Sequence, residues 1–91
     1  MKLSEKLKAI RKNEGLTQLK FCEISGIALG TLKNYEGGHQ EPGIHVVLQV
    51  TNTPRLEKYT MWLMTDKTAP EAGQIAPALA HIGQESATST R

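Results

Sequence analysis

Residues 18–36 read Q-L-K-F-C-E-I-S-G-I-A-L-G-T-L-K-N-Y-E, and two helical patterns meet there at a glycine. Phe21, Ile24, Ile27, Leu32 and Tyr35 fall where side chains of two short helices turn inward. Where such helices cross, the first needs a small side chain, and Cys22 supplies it. The joint needs a residue that tolerates positive φ, and Gly26 supplies that. Leu29, Gly30, Lys33 and Asn34 are then left on the outer face of the second helix.

Two helices joined by such a turn make a helix-turn-helix unit, whose second helix is set into the DNA major groove. The chain around it reads as further short helices. Ser4 is placed to cap a first helix running to about Glu14, with Leu3, Leu7 and Ile10 on one face and Gly15 ending it. Thr17 caps a second helix, Gln18 to about Ser25, and Gly26 and Ile27 form the turn. The third spans about Leu29 to Glu36, stopped by Gly37 and Gly38. Pro42 suits the first position of a fourth helix, through about Val50, with Ile44, Val47 and Leu48 inward. Thr53 and Pro54 repeat the cap-plus-proline signal before a fifth helix, Arg55 to about Met64. Its apolar stripe is Leu56, Tyr59, Trp62 and Leu63.

Beyond Asp66 the character changes. Pro70, Gly73 and Pro77 exclude a long helix, and Gln74-Ile75-Ala76 reads as a short strand. Residues Ala78 to Ile82 fit either a strand or one helical turn, and Glu85 to Arg91 is small, polar and expected to be disordered. The expected fold is all-α: a compact five-helix DNA-binding domain over residues 1–66, a C-terminal β-strand arm for dimerisation over 67–82, and a flexible tail over 83–91.

Ninety-one residues make one small domain with an arm, and a core that size is marginal alone, so oligomerisation is expected. The net charge is only +2, but Lys2, Lys6, Lys8, Arg11, Lys12, Lys20 and Lys33 all lie toward the front of the chain. That distribution fits either phosphate contact or an ordinary solvated face. A single cysteine excludes an internal disulfide and a thiolate metal cluster. Charged residues Lys2, Glu5, Lys6 and Lys8 interrupt any signal peptide, and no stretch approaches the roughly 20 apolar residues that span a bilayer. A soluble protein of the bacterial cytoplasm, without membrane contact, is the expectation.

Residues 3–18, L-x-x-x-L-K-x-I-R-x-x-x-G-L-T-Q, with K-N-Y-E-G-G at 33–38 and Pro42, resemble the lambda-repressor-like (Cro/CI, XRE-type) DNA-binding domains. Residues 53–85, T-P-R-L-E-K-Y-T-M-W-L-M-T-D-K-T-A-P-E-A-G-Q-I-A-P-A-L-A-H-I-G-Q-E, are similar to the short C-type immunity repressors of temperate peduovirus-type phages. The resemblance implies a dimer that binds operator DNA at the early phage promoter and keeps lytic genes silent, maintaining lysogeny. It implies operators that are direct repeats rather than palindromes. It also implies that the segment Ala69 to His81 adds a strand to the dimer, which makes Ile75, Ala76 and Leu79 candidate interface residues. The chain departs from the superfamily at Cys22, where alanine is usual, and at Ala28, where a serine or threonine cap is common. The weaker cap costs about 1 kcal/mol of helix stability.

Candidate DNA contacts follow. Thr17 is a cap with a phosphate contact, and the amide and backbone N–H of Gln18 can meet a phosphate. The resemblance also makes Gln18 a brace for the recognition helix. Asn34 can pair with adenine and Lys33 can donate to guanine, while Leu29 suits a thymine methyl and Gly30 lets the backbone approach the groove. Thr31 and Lys20 are placed for phosphate, and Gly38, His39 and Gln40 would lie along the phosphates after the helix. His39 reads equally as a phosphate donor or an exposed loop residue. The resemblance pairs Arg11 with Glu36, a structural tie between the first and third helices. Tyr59 and Trp62 read as core or as dimer face, and a shared role is favoured: with Leu63, one stripe closes the core and another meets a second subunit.

Catalysis is not expected, since no paired carboxylates, nucleophile–base pattern or phosphate loop is present. No cofactor, small-molecule effector or metal is expected; His45 and His81 have no partner at ligand spacing. The short chain leaves no room for a serine–lysine self-cleavage domain, so inactivation by RecA-dependent cleavage is not expected, and an antirepressor protein is a further candidate partner. The rival reading is an antitoxin, with residues 67–91 wrapping a toxin.

Overall fold

The computed structural model describes residues 1 to 78, with five α-helices among them: α1 Leu3–Asn13, α2 Gln18–Ser25, α3 Leu29–Glu36, α4 Ile44–Thr51 and α5 Thr60–Thr65. Two 3₁₀ helices, Pro54–Tyr59 and Pro70–Ala72, complete the order. Leu7, Ile10, Phe21, Leu32, Val50, Leu56, Tyr59, Trp62 and Leu63 build one shared core, drawn from every α-helix and the first 3₁₀ helix. Among the described residues no helix is long and apolar enough to cross a membrane.

The start of α1 differs from the sequence expectation. Lys2, not Ser4, stands at the cap position, where the Glu5 carboxylate accepts from the Lys2 N–H at 2.8 Å. Ser4 lies inside the first turn, buried, with its hydroxyl donated to Glu41. The end of α1 and the whole of α2 follow the reading. Gly15 turns the chain at φ 69°, Thr17 Oγ1 accepts from the Lys20 N–H at 3.0 Å, and Gly26 closes α2 at φ 82°.

The fourth helix begins after Pro42 rather than on it. Pro42 is buried, Gly43 is extended, and helical geometry starts at Ile44. Its inward face is also rotated from the expected one. Val47 and Val50 are buried, whereas Ile44 and Leu48 are about half exposed. The run I-H-V-V-L-Q-V has apolar residues on two sides, so periodicity alone does not fix which side faces the core.

The fifth element splits. Pro54–Tyr59 is a 3₁₀ helix, and only Thr60–Thr65 is α-helical. The apolar stripe survives the split. Leu56, Tyr59, Trp62 and Leu63 are all essentially without solvent exposure. Of the shared role expected for Tyr59, Trp62 and Leu63, the structure shows the core part: all three are enclosed in the protomer's own core. The exposed residues of α5 are Met61 and Met64.

Lys6 explains how so short a helix is terminated. Its buried ammonium donates to the carbonyls of Trp62 and Leu63, each at 3.1 Å, and pairs with Asp66 at 2.7 Å. Asp66 itself takes a left-handed conformation, φ 64°, to end α5. A cation there complements the carbonyl end of the helix. Lys6 is therefore withdrawn from the basic surface on which the sequence had placed it.

The expected strand at Gln74-Ile75-Ala76 is not present; among the described residues there is no strand. Ala69 and Gln74 form a lone bridge around the Pro70–Ala72 turn. The segment then crosses its own protomer as a strap. The Ile75 N–H donates to the Lys58 carbonyl at 2.9 Å, the Gln74 side chain accepts from the Met61 N–H, Pro77 is buried, and the Ala78 N–H reaches Asn13 Oδ1 at 3.2 Å. Backbone groups taken up by isolated contacts of this kind do not form a ladder. Leu79, the rest of the expected arm and the tail lie outside the described residues.

Candidate nucleic-acid interface

The helix-turn-helix geometry rests on four packed side chains and one glycine. Cys22 is buried at the helix crossing, where burial first, and then the nearby Glu36, pushes its thiol pKa up. Ile27 fills the turn, and Leu32 and Tyr35 seat α3 on the core. Gln49 of α4 supports the turn from behind, its amide donating to the Gly26 carbonyl at 3.1 Å. Ser25 reinforces it, donating to Phe21 O at 2.7 Å and accepting from the Ile27 N–H.

The end of α3 is locked to α1. Arg11 Nε and Nη2 meet the two oxygens of Glu36 at 2.7 and 2.8 Å, and Arg11 Nη1 donates to the Leu16 carbonyl at 2.9 Å. Gln18 Nε2 donates to Glu36 Oε1 at 3.0 Å. Burial alone would raise the Glu36 pKa, but the hydrogen bonds from Arg11 and Gln18 outweigh it and hold the carboxyl below its ordinary value. A planar fork on a carboxylate fixes orientation as well as distance, which an isolated ammonium does not. One N–H of the Gln18 amide is thus engaged in the brace, which leaves its second amide N–H and the backbone N–H at the start of α2.

On α3, Gly30, Lys33 and Asn34 are exposed and Thr31 is half-exposed. Leu29 departs from its expected place. It is half-buried and packs on the core, so less of it is offered outward. At the start of α2, Thr17 and Lys20 are exposed, with Lys20 only loosely paired to Glu23 at 3.6 Å. After α3 the chain exposes Gly37, Gly38, His39 and Gln40. Gly38 sits at φ 78°, and the His39 N–H donates back to the Asn34 carbonyl at 3.0 Å. A Cβ at Gly37 would stand 2.9 Å from the exposed His39 ring, which would have to swing aside.

Sequence reasoning missed Glu41 and Gln49. Each acts on a residue more than twenty positions away, and neither belongs to a local motif. Among the front-half cations, Lys2, Lys12, Lys20 and Lys33 are exposed, Lys8 is partly so, Arg11 is engaged with Glu36, and Lys6 is buried.

A helix-turn-helix family model matches residues 7–57, from α1 through most of the first 3₁₀ helix. Repressor protein C of Escherichia phage P2 is 46% identical over 87 residues, covering 96% of this chain and 88% of that protein.

Proposed function

Because the chain belongs to the helix-turn-helix family, we propose that it is a sequence-specific transcriptional repressor of a temperate phage or prophage. It binds operator DNA at the early lytic promoter as a dimer and maintains lysogeny by occupancy. The observation that carries this reading is the exposed face of α3, with Gly30, Lys33 and Asn34 outward on a helix whose end is locked by Arg11, Glu36 and Gln18. A rigidly aimed helix places side chains on base edges reproducibly, which discrimination requires. The kinship with a phage repressor over most of both chains supports the biological setting.

In this reading Asn34 takes an adenine and Lys33 a guanine. Thr17, the Gln18 backbone, Lys20, Thr31 and the loop Gly38-His39-Gln40 take phosphates, which fix position without reading sequence. A dimer is supported by the apolar surface the protomer leaves open: Met61 and Met64 on α5, Ile44 and Leu48 on α4, and Ile75 on the strap. The antitoxin reading gains nothing from the described part of its toxin-wrapping segment, which is strapped to its own protomer.

The test is transcription in vitro from the promoter immediately upstream of the protein's own gene. Repression that rises with protein concentration, on that template and not on an unrelated promoter, is the expected result. Undiminished transcription at saturating protein would overturn the reading.

A further inference from the structure

The loop after α3 is held at both of its ends by α1. At one end Glu36 is clamped by Arg11. At the other, Glu41 Oε1 accepts the Ser4 N–H at 3.0 Å and Oε2 accepts the Ser4 hydroxyl. Ser4 and Arg11 are seven residues apart, about two helical turns, so both clamps sit on one face of α1. Between them lie only Gly37, Gly38, His39 and Gln40. Two of these four are glycines, which lose the most conformational freedom when ordered.

Ser4 is buried, and its N–H lies in the first turn of α1, where no intrahelical acceptor is available. Lys2, at the cap position, has no side-chain oxygen to offer it. Glu41 supplies that acceptor from a distant part of the chain. The carboxylate is also well placed for the positive end of the helix dipole. The hydrogen bonds from Ser4, side chain first and then backbone, hold the Glu41 carboxyl below its ordinary pKa.

We propose that Glu41 is a positioning residue for DNA binding: through Ser4 it fixes the Gly37–Gln40 loop against α1, so that the exposed His39 and Gln40 meet the phosphates in register with α3. This rests on the reading of α3 as the recognition helix and goes beyond it by assigning a function to a residue that touches no base.

The geometry and the charge of Glu41 act in opposite directions. A carboxylate near DNA repels phosphate, so by charge alone its removal would tighten binding. Loss of the clasp would weaken it. Glu41→Gln separates the two, because its carbonyl can accept the Ser4 N–H and its amide can donate to the Ser4 hydroxyl without the charge.

Fluorescence anisotropy on cognate and scrambled duplexes is the measurement, at a temperature where circular dichroism shows each variant fully folded. Glu41→Ala is expected to bind about tenfold more weakly on both DNAs, since phosphate contacts carry no sequence information. Ser4→Ala should show the same direction, with an effect that does not add to Glu41→Ala. Glu41→Gln should bind at least as tightly as wild type. Wild-type affinity or tighter binding in folded Glu41→Ala would overturn the proposal and leave Glu41 a helix cap only, visible in the melting temperature alone. A wild-type protein that does not prefer the cognate duplex would overturn the underlying reading as well.

Discussion

Glu14 joins more partners than any other carboxylate described. Arg55 Nε reaches its Oε1 at 2.8 Å, Lys58 Nζ reaches Oε2 at 2.9 Å, and the Tyr59 hydroxyl donates to the same oxygen. Tyr59 in turn accepts from Asn13 Nδ2 at 2.6 Å, which ties the end of α1 to the first 3₁₀ helix. Burial raises the Glu14 pKa, but the hydrogen bonds from Tyr59, Arg55 and Lys58 more than reverse this and bring it from 4.5 to about 2. A carboxyl depressed in the fold contributes stability above its ordinary pKa. That contribution is therefore lost as pH falls from 4.5 toward 2. Tyr59 has the opposite sense. Burial and its bond to Glu14 push it from 10 up to about 12, so its share is present below 10 and lost as pH rises through that window. Glu14→Gln should cost about 1.5–3 kcal/mol near neutral pH, the range for a hydrogen bond to a charged group. It should also flatten the acid limb of the stability profile, which urea titrations at a series of pH values would reveal. At this scale the sequence was legible where the cause is local. Gly26 and Cys22 could be read because a turn and a helix crossing constrain single positions. Glu14 could not, because its partners Arg55 and Tyr59 are more than forty residues away.

The elements divide the work between aiming and reading. The ends of α2 and α3 were legible from Thr17, Gly26 and the Gly37-Gly38 pair, since caps and left-handed stops act within one turn. The phase of α4 was not, because its apolar residues encircle too much of the helix. The split of the fifth element was not legible either, since a buried stripe at Leu56, Tyr59, Trp62 and Leu63 suits one continuous helix as well as a 3₁₀ turn leading into α5. For DNA, the division predicts two kinds of loss. Asn34→Ala, on the exposed face of α3, should lose about 1–3 kcal/mol on cognate DNA and nothing on scrambled DNA. Lys20→Ala, on α2, should weaken both duplexes equally and reduce the salt dependence by about one phosphate contact. Anisotropy titrations across a salt series measure both. Identical losses on the two DNAs for Asn34→Ala would remove it from the reading set.

Across the whole molecule, one core is shared by all five helices, and the strap from Ala69 to Ala78 is fastened over it. The reading of a small helical domain came from the sequence because capping and apolar spacing agree along most of the chain. The strand did not follow, since alternating residues show only that a segment can be extended. Its hydrogen-bond partners are set by the surface it lands on, here Lys58, Met61 and Asn13. The charge reading was blurred for a related reason: net charge counts Lys6 and Arg11 as surface cations, while the fold uses one to end α5 and the other to lock α3. Specific occupancy of DNA is the property that unites α3, its locks and the exposed cations, and one titration tests it most directly. Wild-type protein is titrated at about 150 mM salt, near physiological ionic strength, into the duplex upstream of its own gene and into a scrambled duplex of equal length. A preference of at least about 10³-fold for the first is expected. Equal, weak and salt-sensitive binding to both would leave only the phosphate term and contradict specific occupancy.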